Sequence, residues 1–261
     1  MTRDGSGNAT RATRRGGLGI ADAPRGSGRR VRGAVVDHLG ERIVTGEIGV
    51  GETLPGEIET AERLDISRGT YREAVKMLAA KGLVESRPKT GTRVLERARW
   101  NLLDPDVLRW AFAGRPDACL VRDLFEMRIV VEPAIAGLAA IRRTPDQLTA
   151  MRQALGQMRE KSLDTEEGRL ADREFHEVML DACANEVMNT LGASIGAAVA
   201  YTTLFKQRSG GFPRDPVPDH ASVLEAIEAS DQTAAESAMR ELLRLAQADT
   251  QDALSDYASS P

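Results

Sequence analysis

Three side chains in the second half of the chain pair metal-ligand chemistry with ligand spacing. Asp172 and His176 are four residues apart in an apolar-periodic stretch, so on a helix they share one face, one turn apart. His220 opens a later apolar-periodic segment that could close on them. One carboxylate and two imidazoles can hold Zn²⁺ or a similar divalent ion, with positions left for water or a ligand carboxylate. The same spacing also suits a hydrogen-bonded pair in a metal-free polar cavity, or a surface pair with His220 unrelated. Arg128 lies among Phe125, Met127, Ile129, Val130 and Val131, where an unpaired guanidinium is expensive to bury. It requires an internal partner, Glu132 or Asp172, or an anionic ligand to fork.

A second constellation sits near the other end. Ser67 is a good helix N-cap, and Arg68 and Arg72 then project from one face of the first turns. Arginine forks at a helix N-terminus suit guanine O6 and N7 in the major groove, while Ser67, Thr70 and backbone N–H groups suit phosphates. Lys89 and Thr90 fall at the tip of a Pro/Gly turn, within reach of a neighbouring groove or backbone. The alternative for these residues is a solvated basic helix face.

The elements that must position these groups follow from pattern. Residues 1–30 are rich in Gly, Arg, Ser and Thr without apolar period and read as a disordered basic tail. Val35, Leu39 and Ile43 mark one helix; Leu54-Pro55-Gly56 opens a second, to about Leu64. The third runs Arg68 to Lys81 and ends at Gly82. Two short extended runs flank Pro88-Lys89-Thr90-Gly91, a β-hairpin pattern. Three helices and a hairpin over 31–95 make a winged helix-turn-helix. Residues 96–105 read as a linker. Residues 106–256 read as an all-α bundle of about seven helices: Asp106–Phe112, Asp117–Ile141, Thr144–Lys161, Thr165–Ala184, Glu186–Lys206, Val217–Ala229 and Asp231–Asp256, with a kink expected at Glu132-Pro133. The fold class is therefore mostly α.

Charge is unevenly spread. Residues 1–99 carry 19 Lys+Arg against 13 Asp+Glu, and residues 100–261 carry 16 against 26. A basic head on an acidic body suits a polyanionic partner, although residues 1–32 alone hold eight Arg and two Asp. No run of 18 apolar residues and no signal-like apolar core is present, so no membrane partner and a cytoplasmic location are expected. Cys119 and Cys183 lack metal or redox spacing and read as thiols of a reducing compartment.

Fixed spacings over residues 33–94 resemble the GntR superfamily DNA-binding domain: Gly51-Glu52-Thr53-Leu54-Pro55-Gly56-Glu57, Ala61-Glu62-Arg63-Leu64, Ile66 to Ala74, Gly82-Leu83-Val84 and Gly91-Thr92-Arg93-Val94. Ile58 departs from the pattern, standing where some relatives have a DNA-contacting Arg. The second half resembles the FCD effector domain of the FadR branch, through Glu126-Met127-Arg128 to Ala134, Ala171-Asp172-Arg173-Glu174-Phe175-His176, and His220 with the segment to Arg240. Trp100 to Trp110 is similar to sugar-acid regulators of that branch. The resemblance implies a cavity lined by Arg128, Asp172, His176 and His220. It also implies a metal set in which a fourth His stands where this chain has Leu242.

The expected function is that of a homodimeric, ligand-responsive transcription regulator and not an enzyme. It would be a repressor of sugar-acid catabolism genes, bound to an inverted-repeat operator in double-stranded DNA and released by a small acidic effector. Activation, another organic acid, a constitutive architectural binder, and a metal-dependent hydrolase with a DNA-binding appendage are the rivals. No nucleophile elbow, Gly-rich phosphate loop or Glu-bearing metal motif supports the last.

Overall fold

The computed structural model describes residues 28–259, with side chains from 31 to 256; the expected tail through residue 27 lies outside the described residues. Helix α1 (Gly28–Val44) starts three residues inside the stretch read as tail. It buries Val35, Val36, Leu39 and Ile43, the i, i+4 stripe of the sequence. Helix α2 (Glu57–Arg63) begins later than expected, because Pro55 and Gly56 stay outside it, Gly56 with ψ at 148°. Their position is held by the Tyr71 hydroxyl, which donates to the Pro55 carbonyl at 2.8 Å. Helix α3 (Arg68–Ala80) is capped by Ser67, whose Oγ accepts from the Thr70 N–H at 3.0 Å. It ends at Gly82, where φ is +76° and a Cβ would meet the Arg99 carbonyl at 2.1 Å, so only glycine fits there.

Strands β1 (Val84–Arg87) and β2 (Gly91–Val94) pair antiparallel from Val84 opposite Val94 to Arg87 opposite Gly91. Pro88, Lys89 and Thr90 form the tip, with Lys89 at φ +67° and Gly91 at φ +85°. Leu54, Tyr71, Leu78, Leu83, Val84 and Val94 join α1 in one core.

Residues 96–105 are packed rather than extended. A 3₁₀ turn spans Arg97–Arg99, the Trp100 indole donates to the Leu95 carbonyl, and the Asn101 N–H donates to the Lys81 carbonyl. Asp104 caps α4 (Pro105–Ala111) and accepts from Lys81 Nζ at 2.8 Å. Helix α4 faces two ways. Val107 and Trp110 enter the core of the first three helices, while Leu108, Ala111 and Phe112 pack with the helices that follow. The Trp110 ring lies over Gly40, where an added Cβ would stand 2.5 Å away, and its indole nitrogen donates to Asp37 at 3.1 Å.

The bundle beyond comprises α5 (Ala118–Arg142), α6 (Pro145–Lys161), α7 (Glu166–Ala182), α8 (Glu186–Asn189), α9 (Gly192–Arg208), α10 (Val217–Glu228) and α11 (Gln232–Ser259). The single helix expected over Glu186–Lys206 is two, which raises the count after the hairpin to eight among the described residues. The Val187 carbonyl accepts from both the Thr190 N–H at 3.2 Å and the Thr190 hydroxyl at 2.6 Å, a tightened last turn that closes α8. Pro133 stays within α5. It has no N–H for the Ile129 carbonyl, which Arg240 approaches at 3.5 Å. Among the described residues, no helix is long and apolar enough to cross a membrane.

Candidate effector cavity and nucleic-acid interface

Asp172 and His176 leave α7 on its buried face, and α10 brings His220 to them; all three are almost fully buried. His220 Nε2 stands 3.1 Å from Asp172 Oδ1 and His176 Nε2 stands 4.0 Å from the same oxygen. The i, i+4 pair is thus the looser contact, because His176 also faces α5, with Nδ1 3.0 Å from Glu132 Oε2. His220 Nδ1 lies 2.9 Å from the Pro216 carbonyl, an obligate acceptor, which places the proton on Nδ1. That leaves Nε2 as the ring nitrogen nearest the Asp172 carboxylate. Neither His220 Nε2 nor His176 Nδ1 has a well-aligned hydrogen bond; the short separations lie off the ring directions.

This arrangement fits a cation. One atom from each of Asp172, His176 and His220 lies within 4.8 Å of the others, and no other such group occurs among the described residues. A backbone carbonyl behind one imidazole and a carboxylate beside the other are the outer partners that orient metal-binding histidines. Leu242 lines the same cavity where the resemblance expects a fourth ligand, so the chain offers three ligands and a dry wall.

Arg128 faces the cavity, as expected, but its guanidinium is committed: Nε donates to Glu132 Oε1 at 2.5 Å and Nη2 reaches Oε2 at 3.4 Å. Both residues are buried. Burial alone would raise the Glu132 carboxyl, but Arg128 and His176 outweigh it and hold the pKa at about 2. Asp172 is likewise brought to about 2, where His220, His176 and Lys206 overcome burial. Thr203 donates to Asp172 Oδ2 at 3.2 Å.

Lys206 is a further functional candidate that the structure brings to the site. Val199, Thr202, Thr203 and Lys206 line the cavity from one side of α9, and a period of three and four in an otherwise apolar helix was the available signal. Burial pulls the ammonium down to about 8 against the pull of Asp172 and Asp249. Arg208, the last residue of the same helix, is not among the lining residues. The cavity itself measures about 30 Å³, enough for one water or one ion. A wider cleft of about 380 Å³ lies elsewhere, between the end of α1, residues 97–102 and the start of α5, and holds no comparable cluster.

On the first three helices, Arg68 is exposed at the start of α3, and Arg72, one turn on, is oriented by Glu57 at 2.8 Å. Glu73 pairs with Lys76 instead. Ser67 and Thr70 exchange a hydroxyl hydrogen bond at 2.9 Å, and Lys89 and Thr90 are exposed at the hairpin tip. A helix N-terminus carrying two arginines, with a flanking hairpin, has the layout of a winged helix that enters a major groove.

Residues 32–94 match bacterial regulatory proteins of the gntR family, and residues 123–245 match the FCD domain. The galactonate operon transcriptional repressor of Escherichia coli K12 is 34% identical, covering 78% of this chain and 90% of that protein. The Uxu operon transcriptional regulator of the same organism is 30% identical, covering 79% and 80%. A solved structure titled as Lar, which controls expression of the Listeria monocytogenes agr system, superposes with a TM-score of 0.57 at 17% identity, over 85% of this chain and 96% of that one; it supports the fold alone.

Proposed function

Because the chain belongs to the GntR family of bacterial regulatory proteins and carries an FCD domain, it is a DNA-binding transcription regulator rather than an enzyme, and we propose that it is a repressor of sugar-acid catabolism released by a small carboxylate. The observation that supports this reading is the buried, cation-lined cavity. Asp172, His176 and His220 would hold one divalent ion such as zinc. When bound, that ion supplies a Lewis-acidic centre with open positions for effector oxygens. Lys206, which has no carboxylate within salt-bridge distance among the described residues, is placed to take the effector's charge.

At about 30 Å³ the cavity is about tenfold smaller than a ligand pocket of about 300 Å³ or more. Effector entry must therefore displace its walls, among them α9. That helix bears Thr203 and Lys206 on the cavity side and Tyr201 and Phe205 against Phe112, the C-cap of α4. In turn α4 holds α1 through Trp110. A shift of α9 would reach the DNA-binding helices by this route, altering the spacing of two heads on a homodimer that reads an inverted repeat. The two sugar-acid relatives motivate the effector class.

A gel shift on the DNA upstream of the protein's own gene, with aldonic and keto-deoxy sugar acids added singly, tests the proposal. Release by one acid, abolished in Lys206→Met, is expected. A complex that no acid alters would overturn the sugar-acid reading and leave the DNA-binding assignment standing.

A further inference from the structure

Ile58 is a large aliphatic side chain held out in water on the surface that carries the two arginines. It is the second residue of α2 and 53% exposed. Together with Arg68 and Arg72 it lines one shallow concavity of about 610 Å³. Two other large apolar residues of the first three helices and their loops are exposed, though less so, Val50 at 45% and Met77 at 40%. Val50 belongs to the cleft beside the body, and Met77 lies more than a turn beyond Arg72 along α3. Ile58 alone shares a surface with both guanidinium groups. It has no donor or acceptor, so it cannot bind phosphate or a polar base edge.

The major-groove face of B-DNA offers one apolar group, the C5 methyl of thymine. We propose that Ile58 is a specificity-determining residue that packs on a thymine methyl next to the base pairs met by Arg68 and Arg72. The inference rests on the reading of the α3 N-terminus as the base-contacting surface. Glu57, one residue earlier, holds Arg72 at 2.8 Å, so the aliphatic contact and the guanidinium are set at a fixed separation by adjoining residues. Packing the methyl removes both apolar surfaces from water. Its worth is that of one buried methyl-sized group, about a fourfold change in affinity per half-site.

The test uses the full-length protein and the duplex it selects from a randomised pool. Each thymine of a half-site is replaced in turn by deoxyuridine, which deletes only the methyl. Affinities are measured by fluorescence anisotropy for the wild type, Ile58→Ala and Arg68→Ala, with thermal melting to show that each is folded. One thymine is expected whose replacement weakens the wild type about fourfold and leaves Ile58→Ala unaffected. If no thymine separates wild type from Ile58→Ala, the inference is overturned, whether both proteins sense a methyl or neither does. If Arg68→Ala binds as tightly as the wild type, the surface itself is misassigned and both readings fall. Lost binding in Arg68→Ala with an indifferent Ile58 sinks only the thymine contact.

Discussion

Arg128 and Glu132 are neighbours one turn apart on α5, both buried, and each neutralises the other where water cannot. Such a pair is weak evidence of stability as a pair, yet breaking it is severe, because the survivor remains as an uncompensated buried charge. Arg128→Met should therefore destabilise the protein by about 3–5 kcal/mol, read from urea unfolding; a loss under 1 kcal/mol would mean that Glu132 finds another partner or water. The pair also defines a role. Glu132 is shared between Arg128 and His176, so it sets the ring of a candidate ligand residue from behind. Of the partners open to Arg128, an internal carboxylate or an anionic ligand, the structure shows Glu132, and under the proposed function Lys206 is the cation placed for the effector's charge.

At the scale of elements, the join between the first three helices and the bundle is a compact ionic network around α4. Lys81 bridges Asp104 and Asp106, and Arg109 bridges Asp106 and Asp37. Burial opposes both charged forms, but the pairings win, raising the Lys81 pKa above 10.5 and lowering that of Asp106 below 3.8. The contribution of Lys81 is thus complete below about pH 10.5 and is lost as pH rises through its raised folded value. That of Asp106 is complete above about pH 3.8 and is lost as pH falls through its depressed value. Partial exposure screens both, so the effect is modest. The chain's two tryptophans, Trp100 and Trp110, both lie at this join. Their emission should hold steady across neutral pH and change first below about pH 4, before far-ultraviolet circular dichroism does. Simultaneous loss of both signals would show that the join is no weaker than the helices it connects.

For the whole molecule the question is how a small cavity in the bundle informs a DNA-binding surface. The proposed route runs from the cavity wall through α9 to α4 and on to α1. Tyr201 stacks on Phe112 with centroids 6.3 Å apart and is only half-buried, so it can be changed without opening a large cavity. Tyr201→Leu should leave operator affinity without effector within about twofold, whereas effector-driven weakening, about 5–150-fold for couplings of this size, shrinks toward unity. Unchanged effector release in that variant would remove α9 and α4 from the route. Spatial intermediacy alone is no proof of coupling, which is why the comparison with and without effector is the informative one.

Much of this architecture is written in local patterns. The Ser67 cap, the Gly82 stop, the Pro/Gly turn of the hairpin and the apolar periods of α5, α6, α7, α10 and α11 depend on neighbours a few residues away. Sequence alone reached these helices, and with the fixed spacings of residues 33–94 it reached the family too. The pairing of Asp172 with His176 on one helix face followed from helical geometry, and so did the partnership of Arg128 with Glu132 as one of two alternatives. Tertiary structure decided what distant segments do to one another. That His220 lies nearer Asp172 than His176 does, that Lys206 enters the cavity and Arg208 stays out, and that α4 belongs to two cores at once are outcomes of packing among elements up to a hundred residues apart. Periodicity states which face of a helix is buried; which partner meets that face is set by shape and charge complementarity over the folded chain, and no local pattern encodes it.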